Sequence, residues 1–281
     1  MASSSVETWT TTRGIWLFQF ATAFSITRSM TISKWLTRFS RAPDAQFRLV
    51  LFPHAGGGAA AYFKLAKLMP DWIEVVAVVP PGREARIREP FAEDIVEMAS
   101  GAVTALADLP ARPQAFFGHS MGAIIAYESA QLLRGQDIRK PRHLFLSGRR
   151  ANGPVSGEVP LSNLPPGEFV NAISTRYGGI PRQILDDQEL LGLFLPVIRA
   201  DIRAIERYSS EQREPLDITM TLIGGSSDPQ CTDQAWKGWD HCTTGEVEYL
   251  RFPGDHFFLH SQVAGLAQAL LDRIGETLRN N

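Results

Sequence analysis

Along the chain, short apolar runs of strand length alternate with longer segments whose apolar residues return every three or four positions. The runs stand at 47–53 (FRLVLFP), 74–79, 114–117 (QAFF), 142–147 (RHLFLS), 218–223 (ITMTLI) and 247–252. At four to eight residues they read as strands, 74–79 as a buried one. Helical spacing occupies 59–68, 91–109, the stretch from Met121, 168–177, 187–208 and a closing segment to about Leu278. In 187–208, Leu195, Ile198, Ile202 and Ile205 make one apolar face. Early acidic residues in 91–109 suit the positive end of a helix dipole. This alternation predicts an α/β fold, a mostly parallel sheet with helices on both faces. From Gly148 the pattern breaks into Gly, Pro and Asn before two helices, so an inserted helical lid is predicted over about 149–215. No repeat, low-complexity tract or linker divides 45–281, which reads as one domain; 1–44 reads as an N-terminal extension outside its core.

The period changes from strand to helix at Ser120, inside Gly118-His-Ser-Met-Gly122. This is G-x-S-x-G, in which glycines on either side let a strained turn pack tightly while the serine Oγ stays exposed. A pentapeptide this short also arises by chance as a turn before a helix, so its surroundings decide. An apolar strand precedes it, an amphipathic helix follows it, and an acid and a base come later in the order Ser, Asp, His used by α/β-hydrolases. Serine is a weak nucleophile at neutral pH and needs a base; histidine suits because its ordinary pKa is about 6.5. His256 follows the last strand, and Asp228 follows the strand before it, at the carboxyl end where open α/β sheets bind ligands. Asp228 is expected to hold the tautomer of His256 and stabilise its cation. His54, His119, His143, His241 and His260 read as structural or exposed, and Asp255, Asp233 and Asp240 as poorly placed rivals of Asp228.

The glycine-rich turn His54-Ala-Gly-Gly-Gly58 carries no P-loop lysine, so a phosphate site is a weak reading of it. A main-chain oxyanion donor at Ala55 fits the loop after this strand better, with the Met121 N–H as the second donor.

Composition narrows the class. With 281 residues, 44% hydrophobic and 21% charged, the chain is long enough for one large α/β domain with an insertion. A formal charge of −2 gives no global case for nucleic acid or for stable membrane association. Cys231 and Cys242 alone make neither a disulfide scaffold nor a metal site, which suits a reducing, cytoplasmic setting. Gly14 to Ile26 is apolar and ends near an Ala-Thr-Ala, yet it is too short to span a bilayer and lacks a positive leader. Residues 1–29 are read as an upstream extension, with Met30 a natural start.

Several segments together resemble the type II thioesterases that accompany polyketide and nonribosomal peptide synthases. They are Leu51-Phe-Pro-His-Ala-Gly-Gly57, Pro80-Pro-Gly-Arg83, Gly118-His-Ser-Met-Gly122, Leu146-Ser-Gly-Arg-Arg150, Leu195-Pro-Val-Ile-Arg-Ala-Asp201 and Gly254-Asp-His-Phe-Phe258, and the likeness spans about 34–278. The resemblance implies an α/β-hydrolase fold with a helical lid. It implies hydrolysis of acyl groups from the phosphopantetheine thiol of acyl or peptidyl carrier domains, removing stalled or misprimed units. Ser120, Asp228 and His256 become the triad, with Ala55 and Met121 as oxyanion donors. No resident cofactor or metal is implied, since phosphopantetheine arrives on the partner. Asp255 stands where the family often has glycine. Because carrier domains are usually acidic, Arg149, Arg150, Arg182 and Arg199 are docking candidates, against the plainer reading of solvated arginines. A carboxylesterase or lipase-like hydrolase is the alternative enzyme, since the same triad cleaves oxygen esters. A binding module would need a damaged triad, and none is visible.

Overall fold

Parallel strands covered by helices on both faces have no solvent side, so they read as continuous apolar runs rather than alternating ones. The structure, a computed structural model, describes residues 30–39, 43–136, 139–151, 159–178, 185–209 and 213–279. Its strands are β1 (Met30–Ser33), β2 (Leu36–Arg38), β3 (Phe47–Phe52), β4 (Ile73–Val78), β5 (Gln114–His119), β6 (His143–Ser147), β7 (Thr219–Gly225) and β8 (Val247–Phe252). They form one sheet in the order β1-β2-β4-β3-β5-β6-β7-β8. β3 to β8 run parallel, and β1 and β2 are antiparallel to their neighbours.

The longer helices are α1 (Ile95–Ala107), α2 (Met121–Leu132), α3 (Pro166–Tyr177), α4 (Gln188–Arg207) and α5 (Val263–Arg279). Side chains alternate across the sheet, so Val50, Phe52, Phe116 and Leu144 join α1 and α2 in one core. Leu49, Leu51, Phe117 and Phe145 join α5 in the other. β3 lies between β4 and β5, so the chain winds to opposite sides of β3, which makes its carboxyl end the switch point where open α/β sheets bind ligands.

Three expectations change. The helix predicted at 59–68 is a 3-10 turn, Ala59–Tyr62, running into a single α turn, Phe63–Ala66. The Tyr62 hydroxyl donates to the Phe52 carbonyl at 2.6 Å and pins that segment to the end of β3. The helix predicted from residue 91 starts at Ile95, where the Asp94 carboxylate accepts from the Glu97 N–H at 2.8 Å. The third correction concerns the extension, because residues 30–38 of the 1–44 segment belong to the sheet. Leu36 is fully buried opposite Val78, and Arg38 Nη2 meets Glu74 Oε1 at 2.7 Å. β2 covers backbone groups that β4 would otherwise present as an open edge. A three-residue strand is too short to show a period, which is why the pattern missed it. Residues 1–29 lie outside the described residues.

Candidate active site

Ser120 alone makes the corner between β5 and α2, with φ 56° and ψ −114°. A side chain at such a φ costs on the order of 1–3 kcal/mol and persists only where surrounding contacts impose it. Here the Ser120 N–H donates to the Ser147 carbonyl at 2.7 Å. The flanking glycines are required by close approach. A Cβ at Gly118 would stand 2.0 Å from the Gly122 carbonyl oxygen, and one at Gly122 would stand 1.9 Å from the Phe52 carbonyl oxygen. The elbow therefore exists only because α2 can touch the end of β3.

Asp228 and His256 come together across the ends of β7 and β8. His256 Nδ1 and Asp228 Oδ2 are 2.7 Å apart, and both residues are buried. The Asp228 carboxylate also accepts from the Gln230 N–H at 2.9 Å through Oδ1 and from the Cys231 thiol at 3.2 Å through Oδ2. Burial pushes the Asp228 carboxyl up, but the hydrogen bond and charge of His256, with the Gln230 and Cys231 donors, outweigh it and the net direction is down. The His256 ring lies 5.0 Å from the ring of His119, the residue before Ser120, and 5.0 Å from that of Tyr177 at the end of α3. With Nδ1 committed to a carboxylate, the working end of the imidazole is Nε2.

The rivals are occupied elsewhere. Asp255 Oδ1 accepts from the Phe257 N–H at 2.9 Å, Asp233 pairs with Arg251 at 2.5 Å, and Asp240 accepts from the Tyr249 hydroxyl. His119 turns under β6, its Nδ1 2.9 Å from Ser147 Oγ; burial, then the charges of His256 and His54, hold its pKa well below 6.5. It is a neutral packing group.

Met121 opens α2, so its N–H has no acceptor within the helix. The loop after β3 lies beside it, since Gly122 abuts the Phe52 and Pro53 carbonyls. In that loop the Gly57 N–H donates to the His54 carbonyl at 2.9 Å and Gly56 has φ 76°, which is the signature of a type II turn with Ala55 at its first corner.

Two motif residues that sequence reasoning left without a role meet at this loop. Arg83 Nη1 and Nη2 donate to Asp201 Oδ2 and Oδ1, each at 2.7 Å, and Asp201 Oδ2 also accepts from the Gly56 N–H at 2.7 Å. Both side chains are almost completely buried. The Arg83 and Asp201 motifs were the available signal, but nothing in their spacing says that they touch. Cys231, to which the sequence assigned no site role, is a donor to Asp228.

The docking arginines are corrected in part. Arg149 is 3% exposed, and burial lowers its pKa, so it cannot greet a partner from the surface. Arg199 is half-buried, donates to the Ser162 and Leu164 carbonyls at 2.7 Å and stacks 4.2 Å above Phe169, which commits it to holding α4 against its neighbours. Arg150 is half-buried, and Arg182 lies outside the described residues. Among the described residues no group of three or more His, Cys, Asp or Glu side chains is arranged to hold a metal ion, and no helix is long and apolar enough to cross a membrane.

A family model described as a thioesterase domain matches residues 47–276. The chain is 38% identical over 252 residues to the protein named linear gramicidin dehydrogenase LgrE of Brevibacillus parabrevis, covering 88% of this chain and 94% of that one. It is 32% identical over 241 residues to thioesterase PikA5 of Streptomyces venezuelae, covering 85% of each. The solved type II thioesterase BorB from the borrelidin biosynthetic cluster superposes with a TM-score of 0.76 at 31% identity, over 85% of this chain and 96% of that one. Its sheet, its elbow and these relatives together place the chain in the thioesterase family with an α/β-hydrolase fold, among the type II thioesterases of polyketide and nonribosomal peptide pathways.

Proposed function

We infer that this chain hydrolyses acyl groups from the phosphopantetheine thiol of carrier domains, with Ser120 as nucleophile, His256 as base and acid, and Asp228 as its partner. The observation that carries the reading is the buried 2.7 Å contact between Asp228 and His256, on loops beside the strained Ser120 corner. His256 Nε2 takes the Ser120 proton as Oγ attacks the thioester carbonyl carbon, and the new oxyanion is met by the Ala55 and Met121 N–H groups. The C–S bond breaks and the leaving thiolate takes the proton from the imidazolium. Water then gives a proton to His256 and attacks the acyl-enzyme. The bond from carbon to Ser120 Oγ breaks, Oγ regains the proton, and the free acid leaves. The reaction draws on no bound cofactor, and carrier domains are the partners this chemistry implies. The 149–215 segment acts as the lid, with α3 and α4 bringing Tyr177 and Ile198 to the carboxyl-end loops. The dehydrogenase in the name of one relative stays with that protein, because a Ser-His-Asp arrangement serves acyl transfer.

The test compares wild type and Ser120→Ala on an acyl-carrier protein and on an oxygen ester of the same acid. Wild type is expected to free the acid from the carrier thioester far faster than from the ester, and Ser120→Ala to do neither while keeping its circular dichroism. Turnover by Ser120→Ala would remove the nucleophile, and preference for the oxygen ester would move the substrate class to esterase.

A further inference from the structure

The Arg83–Asp201 pair lies outside the chemistry described above, yet it is built into the loop that carries Ala55. A type II turn holds its central peptide, here between Ala55 and Gly56, in one of two orientations; the flipped form is a type I turn. In the observed form the Gly56 N–H points to Asp201 Oδ2 at 2.7 Å. After a flip, the Ala55 carbonyl would face that carboxylate instead, and two oxygen acceptors would oppose each other in a buried place. Arg83 holds the carboxylate with both prongs at 2.7 Å and also donates to the Gly57 carbonyl at 3.0 Å, so one guanidinium grips the acceptor and the turn together. The first peptide of the turn is set by the turn's own closing hydrogen bond. Its His54 carbonyl accepts from the Gly57 N–H at 2.9 Å. In a trans peptide the Ala55 N–H must point the opposite way, out of the turn.

We propose that Asp201, fixed by Arg83, is a positioning residue for the oxyanion side of the reaction, acting through the Gly56 N–H to hold the Ala55 N–H in its aim. The proposal rests on the serine thioesterase reading. Asp201 lies on α4, in the segment inserted before β7, so this part of α4 belongs to the frame of the site. Ile198, one turn earlier, closes over Gly56, where a Cβ would come within 2.7 Å of its side chain.

Removing one partner alone would leave a buried charge and confuse folding with function. The test is therefore the double variant Arg83→Met/Asp201→Leu, since well-packed apolar replacement of a buried ion pair is often neutral for stability. Three quantities are measured on the full chain: kcat and KM for an acyl-pantetheine thioester, the inhibition constant of a trifluoromethyl ketone that adds to the serine as a tetrahedral oxyanion, and the melting temperature. A folded double variant is expected to lose roughly 10- to 100-fold in kcat with KM little changed. The inhibitor is expected to weaken by the same factor. A purely structural pair would not move the inhibitor constant, so unchanged kcat and inhibition in a folded double variant overturn the proposal. Should that variant not fold, Arg83→Lys, which keeps the charge but loses the fork, is read by the same constants, and an inhibition constant that does not track kcat/KM there overturns it. Wild-type protein that neither turns over nor is labelled at Ser120 by a phosphonate removes the thioesterase reading itself, a result distinct from either.

Discussion

The sharpest perturbation of the site is Asp228→Asn, which keeps shape and removes charge. The new amide can sit in two ways. With its nitrogen toward the Gln230 N–H, now 2.9 Å from Oδ1, two donors face each other, at a cost of about 1–3 kcal/mol. With its oxygen there, the Gln230 bond survives, and the nitrogen turns to His256 Nδ1 and the Cys231 thiol, whose proton is free to rotate away. The second orientation wins. An amide N–H then donates to Nδ1, so the imidazole proton must sit on Nε2, and the ring presents Ser120 with a donor where a base is needed. In a serine protease the same loss of tautomer lowers kcat about 10⁴-fold, or about 5 kcal/mol of transition-state stabilisation. A drop of that order is expected here, with KM for an acyl-pantetheine thioester little changed. Steady-state kinetics and a melting curve check it. A folded Asp228→Asn enzyme that keeps more than a tenth of wild-type kcat would show that the carboxylate does not set the tautomer of His256.

Two further outcomes follow from strain and burial. Ser120→Gly should be inactive yet melt about 2 °C above Ser120→Ala: glycine relieves the strain at φ 56°, worth about 1–3 kcal/mol, against an entropy loss of about 0.5–1 kcal/mol. A glycine variant melting no higher than the alanine one would mean the corner is unstrained. His143, stacked on Phe145 and 2.7 Å from Thr221 Oγ1, is pushed by burial from 6.5 to about 4. Between those values the unfolded chain binds a proton that the folded chain does not, so stability is full above about pH 6.5 and falls as pH drops toward 4, by about 3 kcal/mol from this group. His143→Gln should therefore lose less melting temperature than wild type between pH 7 and 4.5, and an equal or steeper loss would contradict the sign.

What the sequence determined by itself is what local chemistry encodes. Strands buried on both faces must be apolar over four to eight residues, so 47–53 predicts β3 to within a residue; 247–252 matches β8 as well, although that strand is the sheet's edge and none of its residues is fully buried. The elbow was legible because G-x-S-x-G is a local pattern and Gly118 meets the Gly122 carbonyl four residues on, whereas the constraint on Gly122 comes from Phe52, far back in the chain. Chain order at the carboxyl ends then pointed to Asp228 and His256 among several acids and histidines. Tertiary structure alone decided the rest, because those choices depend on partners far away in the chain. β2 exists as a strand only because β4 offers it an edge, Arg149 reads as a surface cation until the fold buries it beside Tyr177 and Tyr208, and the helix expected after residue 59 gives way where Tyr62 reaches back to Phe52. Arg83 and Asp201 stand 118 residues apart, and their ion pair with Gly56 forms only when α4 lies on the loop after β3. A period can reveal which face of a helix is apolar, but which carboxylate reaches which backbone N–H is fixed by the packing of one element on another.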